Sequence, residues 1–175
     1  VRVQAGTPTT VCTLSGELRG IAYSNGRLLG HGDNEIYDLT ALSYSTGSLP
    51  AALWTGPAGI LINSIADGRG WTYVADYRGI IYKMQVKSDG TGLDVPIVAG
   101  SIPLGENALS MFGYLGFVFV GGNYGFRLAT ADSNGDLTFG AAVDLGRPAL
   151  TWSAFARFVW VSADQLLRDD PTRTG

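Results

Sequence analysis

Four short apolar runs recur at near-constant spacing along the 175 residues, and that period limits the fold more than any other feature. Arg27-Leu28-Leu29-Gly30-His31, Trp71-Thr72-Tyr73-Val74-Ala75, Phe117-Val118-Phe119-Val120-Gly121 and Phe158-Val159-Trp160-Val161-Ser162 start 44, 46 and 41 residues apart. Each follows a turn containing Gly or Ala: Asn25-Gly26, Gly68-Arg69-Gly70, 113–116 and 154–156. Ahead of each turn lies another short apolar stretch, at 20–23, 62–66, 109–112 and 150–153. A strand, a tight turn and a second strand are therefore expected four times over.

Beyond each second strand a polar turn leads to a third, at 35–40, 80–86, 126–131 and 165–168. Three units add a fourth strand, at 52–54, 93–98 and 137–143. Four antiparallel strands in roughly 40–50 residues make the unit of a β-propeller blade. The expected fold is all-β: a β-propeller of about four four-stranded antiparallel blades, in one domain over 1–175. Its units lie near 15–56, 57–100, 101–146 and 147–175. The best helical candidate, 164–169, fits equally well as a final strand. The fourth unit lacks an outer strand, and Val11-Cys12-Thr13-Leu14 supplies a spare one before the first. Pairing the two would close a four-bladed ring and remove exposed edges. A partial ring within a longer chain is the alternative; a β-sandwich would leave the regular repeat unexplained.

Hydrophobic residues make up 46% and charged residues 15%, which excludes a disordered chain. The 25 glycines punctuate apolar runs without a G-X-Y period, as hairpin turns require. With a net charge of −3 and scattered basic residues, nucleic acid is not an expected partner. Apolar runs fall short of a membrane span, so no membrane insertion is expected. Cys12 is the only cysteine, which rules out an intrachain disulfide. A start at Val1 without a signal peptide suggests a processed chain or a piece of a longer one.

Catalytic chemistry has little to stand on. His31 is the only histidine, no serine and not Cys12 carries a nucleophile signature, and Gly30-His31-Gly32-Asp33 suggests an exposed turn histidine. One His and one Cys do not make a zinc site. Asp132-Ser133-Asn134-Gly135-Asp136 alternates oxygen ligands as a calcium loop does, but lacks the sixth-position glycine and closing glutamate. Asn134-Gly135 reads as a hairpin turn instead, like Lys87-Ser88-Asp89-Gly90-Thr91-Gly92 at the equivalent place. Neither metal nor cofactor is expected. Twelve Asp and three Glu are dispersed, leaving a glycosidase pair as a minor alternative; adjacent Asp169 and Asp170 would point to opposite faces of a strand.

The segment Gly70-Trp71-Thr72-Tyr73-Val74-Ala75-Asp76-Tyr77-Arg78-Gly79-Ile80-Ile81-Tyr82 resembles a tectonin or tachylectin-type blade, and Asn34-Glu35-Ile36-Tyr37 repeats its ending. The resemblance covers the middle hairpin of each unit and implies a lectin propeller that recognises sugars or surfaces. Asp-Ala-Ala openings of hemopexin-like blades and the WD and Gly-His signatures of WD40 blades are absent. The Asp box of sialidase-like propellers is echoed at 64–71 with its spacing off by one residue.

The turn between second and third strands is the candidate binding feature. It holds Asp33 and Asn34, then Asp76, Tyr77 and Arg78, then Asn123 and Tyr124, then Asp164. In a propeller these turns share one face with the connections between blades. Carboxylates and carboxamides bond sugar hydroxyls, and tyrosine rings cover the apolar face of a pyranose. Asp, Asn and Gly also form turns for their own sake, whereas Tyr77, Arg78 and Tyr124 are not required by a turn. The expected function is a non-catalytic recognition or adhesion module, not an enzyme, for a glycan or protein surface partner, outside a cell or on a virion. The alternatives are a structural module assembled into a virion tail, fibre or other appendage, and a glycan-cleaving propeller.

Overall fold

The structure, a computed structural model, describes residues 2–4, 7–9, 18–40 and 51–163. Among the described residues every regular element is a strand, and none is a helix. A short hairpin pairs β1 (Arg2–Gln4) with β2 (Thr7–Thr9). Four antiparallel sheets then follow in series, each a meander in chain order. Sheet 1 holds β3 (Gly20–Ser24), β4 (Arg27–His31), β5 (Glu35–Asp38) and β6 (Trp54–Thr55). Sheet 2 holds β7 (Ile62–Gly68), β8 (Trp71–Asp76), β9 (Ile80–Met84) and β10 (Ile97–Ser101). Sheet 3 holds β11 (Ser110–Tyr114), β12 (Phe117–Gly121), β13 (Gly125–Ala131) and β14 (Leu137–Asp144). Sheet 4 holds β15 (Ala149–Phe155) and β16 (Phe158–Ala163). The expected strands at 11–14 and 165–168, Cys12, Asp164 and Asp169-Asp170 lie outside the described residues.

The first hairpin of every sheet turns the same way. Among the described residues Asn25, Arg69, Leu115 and Ala156 are the non-glycine residues with positive φ, at 48°, 50°, 51° and 55°, one per sheet at the equivalent position. In the first three a positive-φ glycine follows, the type I′ pattern whose twist matches paired strands. Such a turn sets the register, and strand alternation then sends successive side chains of the second strand to opposite faces.

The sheets stack face to face, with the first strands β3, β7, β11 and β15 neighbours in that order. Leu29 and Ile36 of sheet 1 pack on Ile62, Ile65, Val74, Tyr82 and Met84 of sheet 2. The far face of sheet 2, with Tyr73, Ala75 and Ile81, packs on Met111, Val118, Val120 and Ala129 of sheet 3. Sheet 3 meets sheet 4 through aromatics: Trp152 lies 5.5 Å from Phe119 and 5.4 Å, edge-on, from Phe126 between ring centroids. Its indole N–H donates to Ser110 Oγ at 2.9 Å, and Ser110 in turn donates to the Ala149 carbonyl at 2.7 Å.

Polar groups inside this stack are paired. Ser24 and Thr72 share a hydroxyl hydrogen bond of 2.8 Å across sheets 1 and 2. Lys83 is buried in sheet 2, with Nζ 2.6 Å from both Asp136 Oδ1 and the Asn134 carbonyl of sheet 3 and the Trp71 ring beside it. Tyr73 donates to the Gly135 carbonyl at 3.1 Å, and burial pushes its phenol up to about 12. The 132–136 loop is thus a latch between sheets. Asp132 Oδ1 accepts the backbone N–H of Asn134 and of Asp136, each at 2.8 Å, as in an Asx turn.

The exposed-turn expectation for His31 is overturned. His31 ends β4 opposite Gly20, is buried, and has Nδ1 3.1 Å from the Gly32 carbonyl. A β-carbon at Gly20 would approach the imidazole closely, so the missing side chain makes the room that the ring occupies. Burial holds its pKa below the ordinary 6.5.

Candidate functional site

At one end of sheets 1 to 3, the turn between second and third strands is tied to the chain leaving for the next sheet. Ile62 N–H donates to the Asp33 carbonyl at 2.6 Å, Ile102 N–H to Gly79 at 3.0 Å, and Ala149 N–H to Gly122 at 3.1 Å. The repetition puts the candidate turns and the inter-sheet connections on the same side. The antiparallel meander requires that, because its fourth strand ends at the same edge as the turn between the second and third.

The turns differ in what they leave for a ligand. Asp33 pairs with Arg19, while the Asn34 carboxamide donates to the Gly56 carbonyl at 3.3 Å. Asp76 is fully buried: Oδ1 accepts Ile80 N–H at 3.1 Å and Oδ2 receives Arg78 Nη2 at 3.0 Å. Its carboxylate organises the turn, and the outward surface there consists of Tyr77 and the outer part of Arg78. Asn123 and Tyr124 stand apart, because they line a cleft. Asp164 lies outside the described residues.

That cleft, about 270 Å³ in volume, lies beside sheet 3 between the 102–106 connection, the 122–125 turn and the end of β14. Ile102, Val120, Phe126 and Val143 give it apolar walls, and Glu106, Asn123, Arg127 and Asp144 supply polar groups. Tyr124 stands at the mouth, 73% exposed, with its carbonyl pinned by Leu145 N–H at 2.7 Å. Leu104, Val143 and Leu145 are exposed beside it, so the rim is unusually apolar for turns that carry so many polar residues.

The polar wall is pre-organised. Arg127 on β13 grips Glu106 in a fork, Nε to Oε2 at 2.7 Å and Nη2 to Oε1 at 2.6 Å, while Nη1 donates to the Gly140 carbonyl at 2.9 Å. Arg127's hydrogen bonds hold the Glu106 carboxyl below the usual carboxylate range against the opposing effect of burial. The fork leaves Arg127 little to offer an anion and fixes Glu106 as an ionised acceptor. Asp144 Oδ1 accepts Gly146 N–H at 2.7 Å, which orients a second acceptor at the other side. Glu106, Arg127 and Asp144 were not candidates on sequence grounds. Glu106 and Arg127 are 21 residues apart on different elements, and only the folded connection joins them.

Asn123 and Tyr124 therefore share one site with sheet 2's outgoing connection. Tyr77 and Arg78 sit next to that connection, where the Gly79 carbonyl accepts Ile102 N–H, but do not line the cleft. Asp33 and Asn34 belong to sheet 1's own connection. Among the described residues no cluster of three or more His, Cys, Asp or Glu could hold a metal ion. Comparison with models of known families, with curated proteins and with solved structures finds no match to this chain.

Proposed function

We propose that the four sheets are successive blades of a β-propeller and that the protein is a non-catalytic recognition module whose cleft beside sheet 3 binds a glycan. The observation that carries this reading is Tyr124, an aromatic ring that its turn does not need, held exposed at the mouth of a cleft with oriented acceptors. An aromatic platform beside oriented carboxylates and a carboxamide is the chemistry that suits a sugar ring, apolar on its faces and hydroxylated at its edge. The cleft is small beside the ~300–1,000 Å³ of drug-sized pockets, which suits a single sugar unit of a longer chain. The likeness of the 70–82 segment to tectonin blades favours the same reading, and an adhesion role outside a cell or on a virion follows from it.

Glu106 and Asp144 line the same cleft, which raises the glycosidase alternative. A general acid needs a raised pKa, whereas Arg127 lowers that of Glu106, so Glu106 is unsuited to be the acid of such a pair. A glycan array with the intact chain tests the proposal. Binding to a restricted set of glycans is expected, reduced about tenfold or more in Tyr124→Ala, with no turnover of the bound glycans. An array with no bound glycan, or binding unchanged in both Tyr124→Ala and Asn123→Ala, overturns it.

A further inference from the structure

The two end sheets carry apolar faces of the kind that sheet-to-sheet packing buries elsewhere in the chain. Strand alignment makes Leu29, Tyr73, Phe119 and Trp160 equivalent, each central in a second strand and on the face toward the following sheet. Leu29 and Tyr73 are fully buried, and Phe119 packs on Trp152 of sheet 4. Trp160 is 51% exposed. Phe158, 66% exposed, lies on the same face with its ring 6.0 Å from that of Trp160, and exposed Phe155 is its cross-strand partner. Sheet 4 thus presents three aromatic side chains where the other sheets receive a neighbour.

Sheet 1 presents the converse face. Val74 of sheet 2 and Val118 and Val120 of sheet 3 are buried against the preceding sheet. On the corresponding face of sheet 1, Ile21 is exposed, Tyr23 is 71% exposed, and its cross-strand partner Leu28 is also exposed. The forward face of sheet 4 and the backward face of sheet 1 are the two halves of a contact that the chain makes three times internally. Among the described residues of one chain nothing covers either half.

We propose that these halves meet between copies: sheet 1 of a second copy seats on sheet 4 of the first, head to tail. The contact continues the stacking order β3, β7, β11, β15 into the next molecule. It joins different patches on the two copies, so it leads to closed rings or open filaments rather than an isologous dimer. The glycan cleft lies on sheet 3 and its connections, away from both faces, so this assembly does not depend on the recognition reading.

The test uses the intact chain in a Cys12→Ser background. Light scattering across a concentration series is expected to show reversible oligomers, with association weakened about tenfold or more in Trp160→Ser and in Tyr23→Ser. Circular dichroism of both variants is expected to match the parent, since both side chains are exposed. Oxidation of a mixture of Tyr23→Cys chains and Trp160→Cys chains is expected to give a covalent heterodimer, which neither variant gives alone. A chain that stays monomeric at every concentration overturns the proposal. So does a Tyr23→Cys/Trp160→Cys double variant that cross-links only within itself, which would place the contact inside one ring.

Discussion

Gly113→Ala is expected to destabilise the fold by about 3 kcal/mol, because two first strands approach there with no room for a methyl group. Gly113 lies in β11 against β7. A β-carbon added to it would overlap the Asp67 carbonyl oxygen, stand 2.7 Å from the carbonyl carbon and 3.0 Å from Asp67 Oδ1. The obstacle is backbone held in the sheet 2 ladder, where Asp67 pairs with Thr72, so no side-chain rotation relieves it. Inserting a methylene into a well-packed interior costs about 1–3 kcal/mol, and a clash that moves a strand belongs at the upper end. With a urea m-value of about 2–3 kcal/mol/M, the unfolding midpoint should fall by about 1–1.5 M. Gly92→Ala is the matched control, with no atom within 4 Å of the added carbon, and should change stability by less than about 0.5 kcal/mol. Equal urea midpoints for the two variants would refute the close packing of sheets 2 and 3.

The reverse sign is expected at Leu115, which holds a left-handed φ of 51° while largely exposed: Leu115→Asn should gain about 1 kcal/mol and raise Tm by about 2–4 °C in a thermal melt. Lys83→Met should cost about 1–3 kcal/mol in denaturant unfolding, since it strips the Asn134 carbonyl and Asp136 of their cation while leaving Asp136 partly solvated. His31 is buried with its pKa lowered, so the unfolded chain binds its proton more readily than the folded one. Stability from His31 is complete above about pH 6.5 and is lost as pH falls from there through the lowered folded value, and His31→Gln should flatten that part of a stability-against-pH curve.

The second strands were legible because their signals are local. The residues of β4 and β12 coincide with apolar runs bounded by turn residues, and Asn25-Gly26 marks its hairpin by composition alone. Outer strands were harder. The expected strand at 93–98 is found at Ile97–Ser101, because Pro96 has no N–H for a ladder and Leu93 makes only an isolated bridge to Val86. His31 escapes a local reading for a similar reason: Gly-His-Gly-Asp looks like a turn, yet its environment is decided by Gly20, eleven residues earlier, across the sheet. In the cleft, Asn123 and Tyr124 could be singled out because a turn has no use for the tyrosine. The Glu106–Arg127 fork is a tertiary contact with no spacing rule behind it, and it emerges only when the 102–106 connection folds across β13.

The most direct test of the recognition claim is hydrogen-exchange mapping of the chain with and without a glycan identified on the array. Slowed exchange is expected at 102–106, 122–127 and 142–146, which frame the cleft. Protection confined to 153–160, or none despite measurable binding, would contradict a glycan site beside Tyr124.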